Sequence, residues 1–409
     1  MASSLGHLRV LELASPRIQY VGKLLGDYGA DVIKVEPPVG DEARRIGPFV
    51  DDIPNPNRSI FFWHYNTSKR GVTLNLESTG GRALFKRLVA TADVLIEGYN
   101  PGKLADWGLD YAALQKTNPG LIMASLTEFG QNGPWRNWQG GDLVQLAAGG
   151  VMASAGYDDP KAPPIAPGVY QSKHIGGHYL FIGILAALLE RDTSGRGQYI
   201  DVAIHDAVSA VTEGAIPSWI YMKKLIHRAT GIIGTRERRP RGQFLCSDGR
   251  YLNTIMPNID VSYWHTLVAW LDSEGMAEEL KDEKYLDPFV RHATLPHWLG
   301  VVGRFIEKHP SDLMYHEAQR RHITWGQVRS PEEALEDPHF HDRVFWTKVN
   351  HPEIGKSVVY PGAPFPLPEA RWKISRRAPL LGEHNFEVFG TGLGLTRRKI
   401  ASLAENGII

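Results

Sequence analysis

The first 200 residues alternate short apolar, β-branched runs with stretches of helical length. Strand-like runs lie at residues 8–13, 31–35, 72–76, 93–96 and 121–126, and helical patterns between them cover residues 20–28 and 79–90. An alternation of this kind is typical of β-α-β units, in which a helix crosses between parallel strands. The pattern therefore predicts a Rossmann-like α/β domain with a mostly parallel sheet and covering helices.

A further amphipathic helix is predicted at residues 177–191. Its apolar stripe consists of residues at i, i+3, i+4, i+7 and i+8, namely Leu180, Gly183, Ile184, Ala187 and Leu188. The polar turn 192–197, with Gly195 and Gly197, ends the helix and leads to a strand at 198–203. We expect the stripe to face the core.

The pattern changes after about residue 225. A basic, turn-rich stretch at 236–242 leads into a strand-turn-strand around residues 247–250, and helical patterns follow at 261–271, at 295–308 and after Pro310. We interpret residues 1–224 as the large α/β domain and residues 225–330 as a smaller, helix-rich domain. Residues 331–409 form a C-terminal segment with too little periodic apolar pattern for a third domain.

Composition narrows the class of function. The 409 residues are 43% hydrophobic, and 45 basic residues balance 45 acidic ones along the chain. A chain of this kind buries a sizeable core and has no charged surface suited to nucleic acid or to an anionic membrane. We therefore expect neither nucleic-acid nor membrane partners, and favour small-molecule chemistry.

Cysteine and histidine usage argue against disulfides and metals. Cys246 is the sole cysteine, and the 16 histidines show no pairing of the His-Glu-x-x-His kind. The first nine residues lack a basic segment followed by an apolar one, and no run of about 18 apolar residues occurs. We expect a cytoplasmic protein without a metal.

Three segments then point to a known family. Residues 164–207 combine a Tyr-Gln-Ser-Lys-His-Ile-Gly-Gly segment, the Gly-Ile-Leu-Ala-Ala-Leu helix and the turn that follows it, and residues 29–44 and 66–76 add further matches. Together they resemble the class III CoA-transferases, which include formyl-CoA and carnitine CoA-transferases. The resemblance implies coenzyme A, as an acyl-CoA, and a carboxylic acid as substrates. It also implies that the chain returns to the large domain after the small one, and that two chains interlock as a dimer.

Lys173 is the main departure from that family. The family has a nucleophilic Asp ten residues before the Gly of the Gly-Ile-Leu-Ala-Ala-Leu helix, and counting back from Gly183 gives Lys173. Three interpretations remain open: a cation that contacts a phosphate or carboxylate, a solvent-facing residue, or a misplacement caused by a local gap. In the last case Asp158 or Asp159 would have to replace the nucleophile.

The resemblance also implies contacts with CoA. In the loop after the first strand they involve Ser15, Pro16, Arg17 and Ile18. The matching segment 66–76 contributes Lys69, and Tyr99 and Phe129 are the aromatic residues that could stack on adenine or acyl groups. The loop lacks the family's common Ala-Gly-Pro, Gly98 replaces an asparagine, and Asn100 stands at a commonly basic position.

An ammonium cannot relay an acyl group as a carboxylate does. We therefore predict a subunit that lacks the catalytic Asp and assembles with a homologous subunit that carries it. Heteromeric members of this kind occur in the family, one of them in anaerobic aromatic degradation, and this chain resembles such a subunit. The alternatives are a self-sufficient transferase with an unidentified nucleophile and a regulatory CoA-binding protein. A 2-methylacyl-CoA racemase would need a His where Gly141 stands, and an Asp near position 173.

Overall fold

A parallel sheet organises the first half of the chain. The structure is a computed structural model that describes residues 3–212, 214–235, 241–254, 260–365, 367 and 372–409. The sheet strands are β1 (Arg9–Leu13), β2 (Asp31–Glu36), β3 (Lys69–Thr73), β4 (Val94–Glu97), β5 (Ile122–Thr127) and β6 (Tyr199–Ala203). They pair in the order β3-β2-β1-β4-β5-β6, and every pair is parallel. This is the strand order of doubly wound α/β folds, with the order reversing between β1 and β4.

Helices connect these strands. They are α1 (Gln19–Asp27), α2 (Ile60–Tyr65), α3 (Thr79–Val89), α4 (Lys103–Asp106), α5 (Tyr111–Leu114), α6 (Asp142–Ala148), α7 (Gln171–Ser194) and α8 (Ile204–Ala210). The predicted apolar stripe of α7 is confirmed, because Leu180, Ile184, Ala187 and Leu188 are buried. The helix ends at Gly195, whose φ of 69° is the left-handed conformation that favours glycine.

The rest of the chain adds smaller elements. The helices are α9 (Ala215–Met222), α10 (Val261–Asp272), α11 (Pro288–Ala293), α12 (Leu295–Glu307), α13 (Ser311–Arg320), α14 (Pro338–Asp342) and α15 (Arg397–Glu405). The strands are β7 (His227–Ala229), β8 (Ile232–Thr235), β9 (Gln243–Leu245), β10 (Tyr251–Asn253), β11 (Gly326–Gln327), β12 (Trp346–His351) and β13 (Lys356–Pro361). A π-helical turn lies at Phe386–Gly392, and short 3-10 turns lie at Glu42–Arg45, Val50–Asp52, Met152–Ser154, Glu278–Lys281, Glu283–Leu286, Glu333–Glu336 and Pro352–Ile354.

The chain divides into two compact units. The first contains Met1–Gly149, Gly168–Val211 and Asp337–Ile409, and the second contains Gly150–Pro167 and Thr212–Glu336. The chain therefore returns to the sheet-containing unit after the helix-rich one, as the resemblance implied. The sequence interpretation placed residues 150–167 in the large domain, whereas here they group with the second unit because they contact β7 and β8. The domain limits as independently folding regions remain a prediction.

The predicted α/β architecture is confirmed, but one strand begins and ends earlier in the chain than predicted. The strand expected at residues 72–76 lies at Lys69–Thr73, so two basic residues enter the sheet edge. Lys69 is tolerated there because Glu12 of β1 lies 2.6 Å from its ammonium. The predicted strand-turn-strand around residues 247–250 is present as the antiparallel pair of β9 and β10. Most of the basic stretch 236–242 lies outside the described residues.

Candidate functional site

A cleft of about 610 Å³ lies in the first unit, at the carboxyl ends of the sheet strands. Its walls come from the loops that follow β1, β4 and β5 and from the start of α7, including Ser15, Arg17, Tyr99, Glu128 and Lys173. Because the strand order reverses between β1 and β4, the loops after these strands diverge and leave a crevice. Ligands of open α/β sheets bind at this position.

Arg17 ties the loops of the cleft together. Its Nε donates to Oε1 of Glu128 at 2.9 Å, and its Nη1 donates to the carbonyl of Gly98 at 2.7 Å. Gln145 donates to the other carboxylate oxygen of Glu128 at 3.0 Å. Both oxygens of Glu128 therefore accept hydrogen bonds from protein groups. The predicted role of Arg17 in binding a ligand would use its remaining donor atoms.

Lys173 lies on the wall of this cleft, in the first turn of α7. Its ammonium nitrogen is 4.7 Å from the ring centre of Tyr170. Burial lowers the pKa of Lys173, while the nearby carboxylates of Glu128 and Asp142 oppose that shift. The solvent-facing interpretation does not describe this side chain, which is only partly exposed. Asp158 and Asp159 belong to the second unit and do not line the cleft.

Asp142, at the start of α6, satisfies the amino end of α7. Its Oδ1 accepts hydrogen bonds from the backbone N–H of Ser172 at 2.8 Å and from the Ser172 hydroxyl at 2.7 Å. These bonds complement the partial positive charge at a helix N-terminus. Sequence analysis missed Asp142 and Glu128. The position of Glu128 directly after β5 was the signal that could have identified it, since residues there face the ligand crevice.

The departures at Ser15 and Gly98 occupy the same space. A Cβ built on Gly98 would lie 2.8 Å from the Ser15 hydroxyl oxygen, 3.1 Å from the Ile18 Cγ2 and 3.2 Å from the Ser15 Cβ. Ser15 therefore occupies part of the volume that a side chain at position 98 would need.

We expect Gly98→Asn alone to lower the free energy of unfolding by about 1–3 kcal/mol, because it overpacks the loop against Ser15. The same change in a Ser15→Gly background should cost at least about 1 kcal/mol less, since the clashing hydroxymethyl group is removed. Urea unfolding of the four proteins in this cycle measures the coupling. Additive effects would show that the two positions are independent.

Several predicted CoA contacts lie elsewhere in the structure. Ser15, Pro16, Arg17 and Tyr99 line the cleft, but Lys69, Ile18 and Phe129 do not. Ile18 is fully buried in the core. Phe129 packs in an aromatic cluster with Trp135, Trp138 and His205.

Lys69 belongs to a buried charge network instead of the cleft. Its ammonium lies 2.6 Å from Glu12 and donates to the carbonyl of Gln19 at 2.8 Å and to Asn66 at 2.9 Å. Lys34, also fully buried, pairs with the other oxygen of Glu12 at 2.9 Å and with Asp41 at 2.6 Å. Burial lowers the pKa of Lys69 to about 8. These contacts use the donors of Lys69 within the protein, so the structure does not support a contact with CoA.

A second, smaller pocket of about 350 Å³ contains a buried carboxyl group. Glu97, at the end of β4, lines it together with Tyr111, Gln131 and Tyr199. The backbone N–H of Tyr99 donates to Glu97 at 2.8 Å. Burial raises the pKa of Glu97 to about 7, because its charged form loses water.

The raised pKa of Glu97 predicts a pH-dependent stability difference. A carboxyl whose folded pKa exceeds its unfolded value stabilises the fold at low pH, and that contribution is lost as pH rises through about 7. Glu97→Gln removes the ionisation. We expect the stability of Glu97→Gln relative to wild type to be about 1–3 kcal/mol more favourable at pH 8 than at pH 5. Denaturant unfolding at both values measures this, and an equal difference at the two would contradict it.

Two further searches concern only the described residues. They contain no cluster of three or more His, Cys, Asp or Glu side chains arranged to hold a metal ion. Within the same residues, no helix has both the length and the apolar character needed to cross a bilayer.

The fold and the cleft define an α/β protein with a ligand crevice at the switch point of a parallel sheet. The sequence model for CoA-transferase family III matches residues 5–385. The chain therefore belongs to CoA-transferase family III, whose enzymes use CoA thioesters, and the predicted resemblance is confirmed.

The chain is similar over nearly its whole length to several members of this family. Subunit BbsE of succinyl-CoA:(R)-benzylsuccinate CoA-transferase from Thauera aromatica is 31% identical over 392 residues, which covers 95% of this chain and 94% of the relative. The beta subunit of succinyl-CoA–L-malate CoA-transferase from Chloroflexus aurantiacus is also 31% identical and covers 99% and 98%. Among solved structures, a CAIB/BAIF family protein from Brucella suis is 29% identical, with a TM-score of 0.82 over 96% of this chain and 100% of that one.

Proposed function

We propose that this chain is a non-catalytic subunit of a heteromeric class III CoA-transferase. The enzyme would move CoA between an acyl-CoA and a carboxylic acid, and a homologous subunit would supply the nucleophilic aspartate. The observation that supports the proposal is Lys173 on the cleft wall, at the position that counting back from Gly183 assigns to the family's aspartate. The residues around Lys173 resemble those of the family motif, so we propose that the scaffold persists without its nucleophile.

The chemistry of transfer requires a carboxylate. An aspartate oxygen attacks the thioester carbonyl, forming an anhydride and releasing CoA thiolate, and the thiolate then attacks the aspartyl carbonyl to give an enzyme-bound thioester and the free acid. A lysine ammonium has no lone pair for the first step. A neutral amine would form an amide, which the thiolate does not reopen. With Lys173 in place of aspartate, the reaction therefore stops either before attack on the thioester, if the lysine is charged, or at the amide, if it is neutral.

Most carboxylates that line the cleft form ion pairs within the protein. Glu128 pairs with Arg17, and Asp41 is buried against Lys34. Glu42 is the exception: it is exposed on the cleft wall, and no cation in the described part of the chain lies within ion-pair distance of it. A self-sufficient transferase is the second candidate function, and it would have to use Glu42. Activity of the isolated chain that Glu42→Gln abolishes would favour that candidate.

Names of the relatives suggest substrates and assembly. Succinyl-CoA is the named donor in the benzylsuccinate, malate and citramalate transferases, and two of these are named as subunits of larger enzymes. We therefore propose succinyl-CoA as donor and a succinate derivative, such as benzylsuccinate, as acceptor. We also propose an interlocked dimer with the active homologue. A reducing, cytoplasmic setting fits the single cysteine of the chain.

Co-expression with a homologue that carries aspartate at the corresponding position tests the proposal. We expect the two chains to co-purify and to exchange CoA between succinyl-CoA and an acid. Replacing the partner aspartate with alanine should lower kcat by about 10³-fold or more, whereas Lys173→Ala in this chain should change it only a few-fold. Retained activity without the partner aspartate would contradict the proposal.

A further inference from the structure

Buried cations of the first unit are matched by carboxylates. In the described part of that unit, the buried lysines and arginines each lie within 3 Å of an acidic oxygen: Lys23 with Asp27, Lys34 with Glu12 and Asp41, Arg44 with Glu36, and Lys69 with Glu12. Arg17 is paired in the same way with Glu128. Pairing of this kind is expected, because an uncompensated charge away from water is costly.

Lys173, which is half-buried, has no such partner. Among the described residues, no carboxylate lies within 4.0 Å of its ammonium, and the centre of the Tyr170 ring is 4.7 Å from it. It also lies in the first turn of the 24-residue helix α7, where the helix dipole disfavours a cation. Both features favour an anion in contact with Lys173, because the carboxylates of Glu128, Asp142 and Glu42 act on it only from beyond ion-pair distance.

Open space adjoins this end of α7. Gly141 precedes Asp142, whose carboxylate bonds to Ser172, so Gly141 and Lys173 belong to the same part of the cleft wall. A Cβ added at Gly141 would meet no atom within 4 Å, and its extended φ of 170° accepts any side chain. This open space beside Gly141, here called the recess, leaves room for a small ligand group on the part of the cleft wall that also carries Lys173.

We propose that Lys173 is an acid-binding residue: its ammonium pairs with the carboxylate of the free acid substrate, so that this cleft holds the acid without reacting with it. The inference rests on the proposed function, which makes the cleft non-catalytic. An aspartate at this position would repel an incoming carboxylate, whereas a lysine attracts it. The substitution that removes transfer chemistry thereby creates a recognition site for short-chain carboxylic acids.

The anionic oxygen could instead belong to a phosphate of CoA, since an ammonium binds either group. The recess beside Gly141 favours the smaller carboxylate. Isothermal titration calorimetry with two ligands distinguishes a carboxylate from a phosphate at this site. The ligands are succinate, which carries no phosphate, and coenzyme A, which carries no carboxylate. Both titrations use the full-length protein in the assembly in which it purifies.

We expect Lys173→Met to weaken succinate binding by about 10- to 100-fold, the usual effect of losing a partly desolvated charged hydrogen bond. Its effect on coenzyme A should stay within about two-fold, and Lys173→Arg should retain succinate binding within a few-fold, because the charge remains. Lys116→Met, at an exposed position outside the cleft, is the matched control. Gly141→Leu fills the recess without changing charge, and it should weaken succinate binding as well.

Unchanged succinate affinity in Lys173→Met, or no succinate binding to the wild-type protein, would overturn the inference. Loss of coenzyme A binding in place of succinate binding would overturn it too and would assign Lys173 to a phosphate. If Lys173→Met fails to fold, succinate binding by Gly141→Leu and Lys173→Arg tests the inference instead. Equal succinate affinity in Gly141→Leu and the wild-type protein would reject the recess as the site. Turnover by the isolated chain would reject the proposed function while leaving these binding results unaffected.

Discussion

Lys173→Asp should allow succinyl-CoA to label the protein covalently, at close to one label per chain. The wild-type protein should gain no such hydroxylamine-sensitive label. The new carboxylate would lie in the first turn of α7, where the helix dipole stabilises a negative charge. It would attack the thioester, and the resulting anhydride or aspartyl-CoA thioester would add a mass that hydroxylamine removes. Intact-protein mass spectrometry before and after hydroxylamine measures the change.

Lys173→Asn is the control for this experiment, because it matches the size of aspartate and lacks its nucleophilic oxygen. We expect no hydroxylamine-sensitive mass in Lys173→Asn or in the wild-type protein. If Lys173→Asp binds coenzyme A and still gains no label, other groups that support transfer are also missing from the cleft. The scaffold would then not be intact, contrary to the account given above.

Lys34→Met should lower the free energy of unfolding by about 3–5 kcal/mol, the usual cost of removing one partner from a buried ion pair. Lys34 is fully buried between Glu12, at 2.9 Å, and Asp41, at 2.6 Å. Burial alone would lower the pKa of Lys34, but the charges of Asp41, Glu12 and Glu36 outweigh it and raise that pKa. Without the ammonium, Asp41 loses its cation and Glu12 keeps only Lys69.

Urea unfolding of Lys34→Met and of Lys86→Met measures this effect. Lys86 lies on α3 in the same unit, and its side chain is exposed, so the same substitution should change stability by less than about 0.5 kcal/mol. Similar small losses in both variants would show that the buried network adjusts easily, for example by protonation of Asp41. The structure predicts a clear difference.

The sequence predicted the sheet well because its central strands are buried on both faces. β1, β2, β4 and β5 read as apolar runs, and their predicted positions differ from the observed ones by about one residue. β3 lies at other residues than predicted because its edge position admits Lys69 and Arg70, whose charges are satisfied by Glu12 of β1 and Asp31 of β2. Periodicity does not contain information about such long-range pairs.

The candidate site was only partly predictable. Ser15, Arg17, Tyr99 and Lys173 line the cleft because they belong to segments at the carboxyl ends of parallel strands, where the order of the strands reverses. Lys69 was misplaced in the prediction, since a lysine in a strand motif gives no sign of whether its ammonium faces a cleft or a buried carboxylate. The bond from Asp142 to α7 joins residues 30 apart in the chain, and only the folded structure brings them together.

Steady-state assay of this polypeptide, purified without any homologue, tests the central claim most directly. Exchange of CoA between succinyl-CoA and a set of carboxylic acids should stay at the buffer background, because the cleft presents Lys173 where transfer needs a carboxylate. Turnover by a homo-oligomer of the chain, at a rate typical of enzymes, would contradict the account.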